Sequence, residues 1–249
     1  MEPDYLDQPD KTGAETLSIF NETDRFNEWM YQTIRPFFKG DLLEVGSGIG
    51  NISLFPLRDG YRMMLTDYNP VYVDHLKEQY STHPSVTGIR QMDLNDPQFD
   101  TLHGDLAEKF DTVFLLNVLE HIRDDHAAIR NCRKLLRRDG HLVILVPSYS
   151  WLYSPLDREL GHFRRYTTGL LAERFRANGL EVIHKQYFNF AGIMGWLLNG
   201  KIFRKKILPE GQVKFYNKLV PLFRLTDRII LHAAGLSTIV IGKNIPQAS

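Results

Sequence analysis

An α/β fold, with a doubly wound parallel sheet covered by helices on both faces, is the class this sequence predicts, and three observations predict it. Apolar strand-like runs alternate with helical segments four times between residues 41 and 147. The first run, Leu42-Leu43-Glu44-Val45, breaks into Gly46-Ser47-Gly48-Ile49-Gly50-Asn51 and resumes as helix-compatible sequence, the pattern of a strand-to-helix turn that admits a ligand. The fourth, Phe110-Asp111-Thr112-Val113-Phe114-Leu115-Leu116, is almost continuously apolar, as a strand covered on both faces must be. Repeated αβ units imply right-handed crossovers, and such sheets hold ligands beyond the carboxyl ends of their strands.

Taken in order, residues 1–15 are polar, contain Pro3, Pro9 and Gly13, and read as a mobile tail. Over 16–38, Leu17, Phe20, Phe26, Met30, Ile34 and Phe37 recur at helical spacing, with Pro36 and Gly40 as stops. After the glycine turn, Pro56 must kink or shorten the next helix. A strand over 61–66 ends at Asp67-Tyr68-Asn69-Pro70. A helix through Val73, Leu76 and Tyr80 and a strand over 86–91 lead to Asp93-Leu94. The fourth strand ends at Asn117-Val118-Leu119-Glu120-His121. A helix over about 124–138 carries Ile129, Cys132, Leu135 and Leu136 on one face, with Gly140 as its stop, and a strand over 141–146 runs into Pro147. Thr168 caps a helix through Leu171 and Phe175 to Gly179. Strands over 180–188 and 237–242 follow, separated by about 48 residues of helical apolar spacing.

The chain's 249 residues and 43% hydrophobic content suffice for one full core. The single cysteine, Cys132, excludes an intramolecular disulfide and a cysteine-based zinc cluster and suits a reducing compartment, so a cytoplasmic protein is expected. Met1-Glu2-Pro3-Asp4 lacks a leader's apolar core. The longest uncharged apolar stretch, 188–199, is shorter than the roughly 20 residues a spanning helix needs. Net charge is zero, but 1–150 carry 15 Lys+Arg against 24 Asp+Glu (net −9), and 151–249 carry 15 against 6 (net +9). The asymmetry bears on partners rather than on fold.

The strand ends select the candidate site. Gly46 and Gly48 permit a sharp turn and close approach of a ligand, with Ser47 between them. Asn51 stands where a pyrophosphate-binding turn would have its last glycine, and Glu44 would repel phosphate but attract an ammonium. A positively charged nucleoside fits better than a dinucleotide. Asp67, 21 residues after Gly46, is at the spacing of a ribose-binding carboxylate. Asp93 is suited to an adenine amino group, with Tyr68 and Leu94 as apolar faces for the ring.

With these residues in hand, the sequence resembles the class I S-adenosylmethionine-dependent methyltransferases over about residues 20–185, type 11/12-like in its motifs. The resemblance implies a Rossmann-like seven-stranded sheet with its last strand antiparallel, and S-adenosylmethionine as cofactor across the strand ends. By it, Glu44, Gly46 and Gly48 border the methionine part, Asp67 the ribose, Asp93 and Leu94 the adenine, and Asn117 the sulfonium region, with Ser47, Asn51 and Tyr68 also among the cofactor-binding residues. Pro56 departs from the pattern. The implied organisation is one methyltransferase domain over 1–249: tail and helical cap 1–40, cofactor-binding core 41–188, helical lid insertion 189–235, last strand and tail 236–249.

After Pro147 the chain turns aromatic and basic. His162, Arg164, Arg165 and Tyr166 lie in a Gly-His-Phe-Arg-Arg-Tyr run resembling a methyltransferase subgroup that modifies glycans or lipid-linked sugars. Arg164 and Arg165, as guanidinium forks, are expected to bind an anionic acceptor together with Tyr153 and Trp196, unless they merely pair with Asp157 and Glu159. His162 and His121 are candidate bases, and Tyr166 could orient the acceptor oxygen. The expected reaction is in-line methylation, most simply of oxygen, on a small-molecule, glycan or lipid-linked acceptor. No metal is expected, and nucleic acid is disfavoured because the Asn/Asp-Pro-Pro-aromatic run of base methyltransferases is missing after strand four. Rival readings are a nicotinamide-dependent oxidoreductase and a non-catalytic cofactor-binding subunit. The insertion's Trp196 and apolar run, followed by Lys201, Arg204, Lys205 and Lys206, is open to three readings: plain core, a homodimer face, or peripheral contact with a membrane.

Overall fold

The computed structural model describes residues 23–203 and 210–245. The expected tail, Leu17 and Phe20, and Arg204, Lys205 and Lys206 lie outside these residues. The elements are α1 (Asp24–Ile34), β1 (Leu42–Val45), α2 (Leu54–Arg58), β2 (Met63–Asp67), α3 (Pro70–Tyr80), β3 (Val86–Gln91), α4 (Phe99–His103), β4 (Phe110–Leu116), α5 (Asp125–Leu135), β5 (Leu136–Pro147), α6 (Pro155–Glu159), α7 (Thr168–Ala177), β6 (Leu180–Phe188), α8 (Phe190–Trp196), α9 (Glu210–Ile229) and β7 (Ser237–Asn244). Wider π-type turns continue α8 over Leu197–Ile202.

The strands form one seven-stranded sheet in the order β3-β2-β1-β4-β5-β7-β6. Six run in one direction, and β7 runs antiparallel to them between β5 and β6. Alternate side chains feed two cores, because successive residues of a strand point to opposite faces. Leu43, Val45, Val113 and Leu115 join Ile129, Cys132 and Phe175 on one side. Leu42, Phe114, Val143 and Leu145 join Trp29, Tyr31, Ile34 and Val220 on the other. Both faces are covered, which is why β4 and β5 tolerate nearly unbroken apolar sequence.

Local chemistry moves some expected boundaries. The helix expected to reach residue 138 ends at Leu135, because Leu136 pairs with Phe110 and opens β5 early. Arg137 lies in that strand, bonded to Asp111 at 2.5 Å. The cap of α7 is Thr167, not Thr168: its hydroxyl accepts from the Leu170 N–H at 3.1 Å. Pro56 sits in the first turn of the five-residue α2, where its missing N–H costs no helical bond.

Register fixes where the insertion stands. Ser237 of β7 pairs with both Pro147 and Phe188. Residues 189–235 therefore leave and rejoin the sheet at the carboxyl edge of β5 and β6. The structure gives this segment two seats. The turns of α8 pack on the loop after β5, where the Trp196 indole donates to the Leu152 carbonyl at 3.1 Å. The longer α9 lies along α1, with Asn217 accepting from the Phe26 N–H at 3.1 Å and Val220 in the core beside Trp29. Buried Asp227 accepts from the N–H groups of Asn189 and Phe190 at 2.6 and 2.8 Å, tying the end of α9 to the start of α8. Among the described residues, no helix is long and apolar enough to cross a membrane.

Candidate active site

The glycine turn is ordered by the tip of the neighbouring strand. Asp67, buried at the end of β2, accepts from the Gly48 N–H at 2.8 Å and from the Asn69 N–H at 2.9 Å. Gly46 and Ser47 donate to the Thr66 carbonyl at 2.8 and 2.9 Å. Gly46 and Gly48 have φ of +75° and +55°, a region that favours glycine. A Cβ on Gly46 would stand 2.3 Å from a methyl of Val118, so this glycine lets the turn close on the segment after β4. Its role is therefore packing as much as ligand approach.

Glu44 is fully enclosed, with the Ser53 hydroxyl donating to its carboxylate. Burial raises its pKa to about 7, against the opposing hydrogen bond of Ser53. An ammonium arriving nearby would favour the ionised form. Asp93 is exposed and accepts from the Asn95 N–H at 2.8 Å, and Tyr68 presents an exposed ring. Leu94 does not: its side chain is in the core, so it cannot offer the ring face expected of it. Asn117 is exposed at the tip of β4 with φ +55°, its N–H held by the Leu145 carbonyl at 2.8 Å. Asparagine is among the residues that adopt this left-handed region most readily. Asn51 is half-buried in the same turn.

On the acceptor side the chain builds a network of buried charge. Asp157 is wholly buried; it accepts from Arg165 Nε at 2.7 Å, from the Ser154 N–H at 2.8 Å, and faces His162 Nδ1 at 2.9 Å. Burial raises its pKa, but His162 and Arg165 outweigh that and hold it below the usual carboxylate range. Arg165 also donates to the Ser148 carbonyl at 3.0 Å and lies 4.5 Å from the centre of the Trp196 ring. Tyr153 donates to the His162 carbonyl at 2.7 Å. His162 is thereby fixed by ring and backbone, with Nε2 turned to Glu120 at 4.0 Å and the His121 ring edge-on at 4.7 Å.

Glu120 is the least expected feature of the site. It is 0% exposed, and neither carboxylate oxygen has a hydrogen-bond partner. Burial raises its pKa to about 7, moderated by His162 and Arg165. Dense surroundings and His162 depress the imidazole of His121 to about 3, although its ring keeps an open face through which water tempers the effect. One ligand atom each from Glu120, His121 and His162 lies within 4.8 Å of the others, so the group could gather around a cation. Ligands of a metal bound at about 2.1 Å stand no more than about 4.2 Å apart, so binding would require them to draw closer.

Two acceptor-side expectations need correction. Arg165 is not an open fork, because burial commits it to Asp157. Tyr166 is wholly buried and donates to Asp125 at 3.1 Å; burial and Asp125 raise its phenol pKa, so it buttresses the loop rather than facing an acceptor. Arg164 is partly exposed but pairs with Asp125 at 3.1 Å. Of the two acids that organise the loop, Asp157 was expected only as a pairing partner of the arginines, which it is for Arg165, and Asp125 was not expected at all. A clue was available in the three cationic or proton-donating residues Arg164, Arg165 and Tyr166, which in a folded loop require acidic partners.

The family model of a methyltransferase domain matches residues 43–142. Over 183 residues the chain is 26% identical to a probable S-adenosylmethionine-dependent methyltransferase of Mycolicibacterium smegmatis, covering 69% of this chain and 65% of that one. The chain belongs to the class I S-adenosylmethionine-dependent methyltransferase family. The nicotinamide-dependent alternative falls with that assignment. A second relative, the probable polyketide synthase 42 of Dictyostelium discoideum, is 25% identical over 179 residues, or 64% of this chain and 7% of that one. The chain thus spans less than two thirds of the length of these relatives. A solved S-adenosylmethionine-dependent methyltransferase from Archaeoglobus fulgidus shares the fold at a TM-score of 0.57 and 15% identity, over 87% of this chain and 94% of that one. The donor set suits the family's cofactor: an enclosed carboxylate and a glycine turn at β1, and carboxylates at the tips of β2 and β3.

Proposed function

We propose that this protein transfers a methyl group from S-adenosylmethionine to a hydroxyl of a small-molecule, glycan or lipid-linked acceptor, with His162 taking the hydroxyl proton. Bound S-adenosylmethionine supplies an electrophilic methyl carbon on a sulfonium that becomes neutral as the methyl leaves. Everything else falls to the chain. Asp67 holds the glycine turn in shape through Gly48, and Glu44, Tyr68, Asp93 and Asn117 are the groups available to seat the cofactor.

One observation carries the reading: the imidazole of His162 is locked by Asp157 at 2.9 Å, with its other nitrogen beside the unpartnered carboxylate of Glu120. A carboxylate on Nδ1 fixes the tautomer and stabilises the imidazolium formed when Nε2 accepts a proton. Glu120 adds a second negative centre for that imidazolium. His121 is the weaker candidate, because a base with a depressed pKa takes a proton poorly near neutrality. An N-methyltransferase acting on a free amine has less need of such an arrangement. Tyr149, stacked on Tyr187 at 4.9 Å and on Trp151 at 5.7 Å just after β5, offers ring faces suited to a sugar or an aromatic acceptor.

The test is incubation with S-adenosylmethionine and fractionated hydroxylated extracts, including cell-envelope material, read by mass spectrometry for one added methyl. With an acceptor in hand, His162→Gln should lower kcat by about 10²–10⁴-fold while S-adenosylhomocysteine binds as in the parent. A kcat within a few-fold of the parent removes His162 as the base. Activity lost to EDTA and restored by one divalent cation would instead assign Glu120, His121 and His162 to a metal. Cofactor binding without any methylated product would favour the non-catalytic subunit.

A further inference from the structure

The insertion that follows β6 presents apolar surface that the fold does not use. Along α8 and its π-type continuation, Phe190, Met194, Leu198 and Ile202 recur every fourth residue and are 39%, 59%, 42% and 66% exposed, with Phe203 beside them at 62%. The opposite side, carrying Gly192, Trp196, Asn199 and Gly200, is turned to the protein. The adjoining α9 repeats the arrangement: Val213 and Val220 are buried, while Phe215, Leu222, Leu225 and Ile229 are 52–70% exposed. The two helices pack on one another.

Charge decides what such a surface fits. Lys201, Lys214, Lys218 and Arg228 are exposed around these residues. Apart from Glu210, the only acid between 189 and 235 is Asp227, which is 0% exposed and engaged with the backbone of α8. A second copy of this surface would bring cations against cations without acids to answer them, which opposes self-association. An anionic bilayer complements both features, as apolar side chains enter the headgroup boundary and lysines and arginines meet lipid phosphates.

We infer that α8, its continuation and the outer side of α9 form an interfacial docking surface for an anionic lipid bilayer. The protein lies on the membrane through this surface and does not span it. Because the segment departs at Asn189 and rests Trp196 on Arg165 of the acceptor loop, docking brings the carboxyl edge of β5 and β6 close to the lipid. This deepens the proposed function by favouring a membrane-borne acceptor, and it rests on that reading only for the acceptor.

The experiment is sedimentation of the full chain with vesicles of phosphatidylcholine alone and with about one third phosphatidylglycerol, at low and high salt. Partition is expected onto the anionic vesicles only, weakening as salt rises. Ile202→Glu and Phe203→Glu, at exposed positions that should fold normally by circular dichroism, are each expected to lower partition at least about tenfold, the effect of losing one buried large apolar side chain. Absence of binding to anionic vesicles at low salt overturns the inference, as does binding that both substitutions leave unchanged. A concentration-dependent dimer by light scattering that Ile202→Glu dissolves would also overturn it, assigning the surface to a second copy. Calorimetric titration of the same preparations with S-adenosylhomocysteine separates the two ideas: cofactor binding without lipid binding sinks only the docking surface, and lipid binding without cofactor binding sinks only the methyl transfer.

Discussion

Beyond the tips of β1, β2 and β3 the site rests on bonds to backbone groups of the same turn or of the neighbouring strand tip. Asp67 holds Asn69 and Asp93 holds Asn95, while the bonds of Gly48 to Asp67 and of Gly46 and Ser47 to Thr66 join the tips of β1 and β2. Beyond β5 the site consists of charges buried together from distant parts of the chain. Glu120 leaves the turn after β4, Asp157 and His162 flank a tight loop, Arg165 follows, and Trp196 arrives from the insertion. The same sheet edge therefore carries one half that is locally determined and another that exists only once the tertiary fold is complete. The contrast teaches where each half is vulnerable. A local half tolerates loss of one member, whereas a network of buried charges fails together because each ion depends on its partner.

The sharpest break is Asp157→Ala. It removes the acceptor for Arg165, His162 and the Ser154 cap at once, leaving a guanidinium buried without a counter-charge. Breaking a buried ion pair from one side costs about 3–5 kcal/mol. Chemical denaturation should show a loss of that size, and Asp157→Asn, which retains hydrogen-bonding capacity, a smaller one. If Asp157→Ala unfolds within 1 kcal/mol of the parent, the network is a surface ornament and the contrast fails.

A second effect is read through pH. Burial raises the pKa of Glu120 to about 7, while the unfolded chain titrates near 4.5. The folded state therefore holds a proton that the unfolded state has released. The stability contribution is full below about pH 4.5 and declines as pH rises towards 7. At 1.36 kcal/mol per unit the decline is up to about 3 kcal/mol. Glu44 behaves in the same direction, so the parent should show a steep decline between pH 4.5 and 7. Glu120→Gln should flatten it by roughly half. An unchanged slope would mean that Glu120 is ionised throughout and already paired, removing it as the open carboxylate beside His162.

The same contrast explains how much could be read from the amino-acid order. The spans of β3, β4 and β6 were legible to the residue, because apolar runs with clear punctuation determine buried strands. Asp67, Asp93 and Asn117 were legible as strand-end residues, because one topological rule selects them. The end of α5 was not, since Leu136 obeys its pairing with Phe110 rather than its helical spacing. Arg165 and Tyr166 look like open donors in sequence and are enclosed in the fold, because their partners Asp157 and Asp125 lie 8 and 41 residues away. Leu94 was misread for a related reason: its neighbour Asp93 is exposed, and adjacent residues point to opposite sides. Spacing identifies which residues carry charge, but not which of them will be buried.

The gentlest break falls on the local half. Asp67→Ala leaves the N–H groups of Gly48 and Asn69 without their acceptor. A lost hydrogen bond to a charged group is worth about 1.5–3 kcal/mol. The glycine turn is still braced by the Gly46 and Ser47 bonds to Thr66, so most of that loss should appear in the conformation that meets the cofactor rather than in folding. Calorimetry should give S-adenosylhomocysteine binding weaker by about 10–150-fold, with partition onto anionic vesicles unaltered. A variant that binds the cofactor product normally would show that Asp67 serves only its own turn, and the carboxylate that meets the ribose would have to be sought elsewhere along the same edge. A variant that loses lipid binding as well would show that the two halves communicate, because the bonds of Asp67 to Gly48 and Asn69 lie at the tips of β1 and β2.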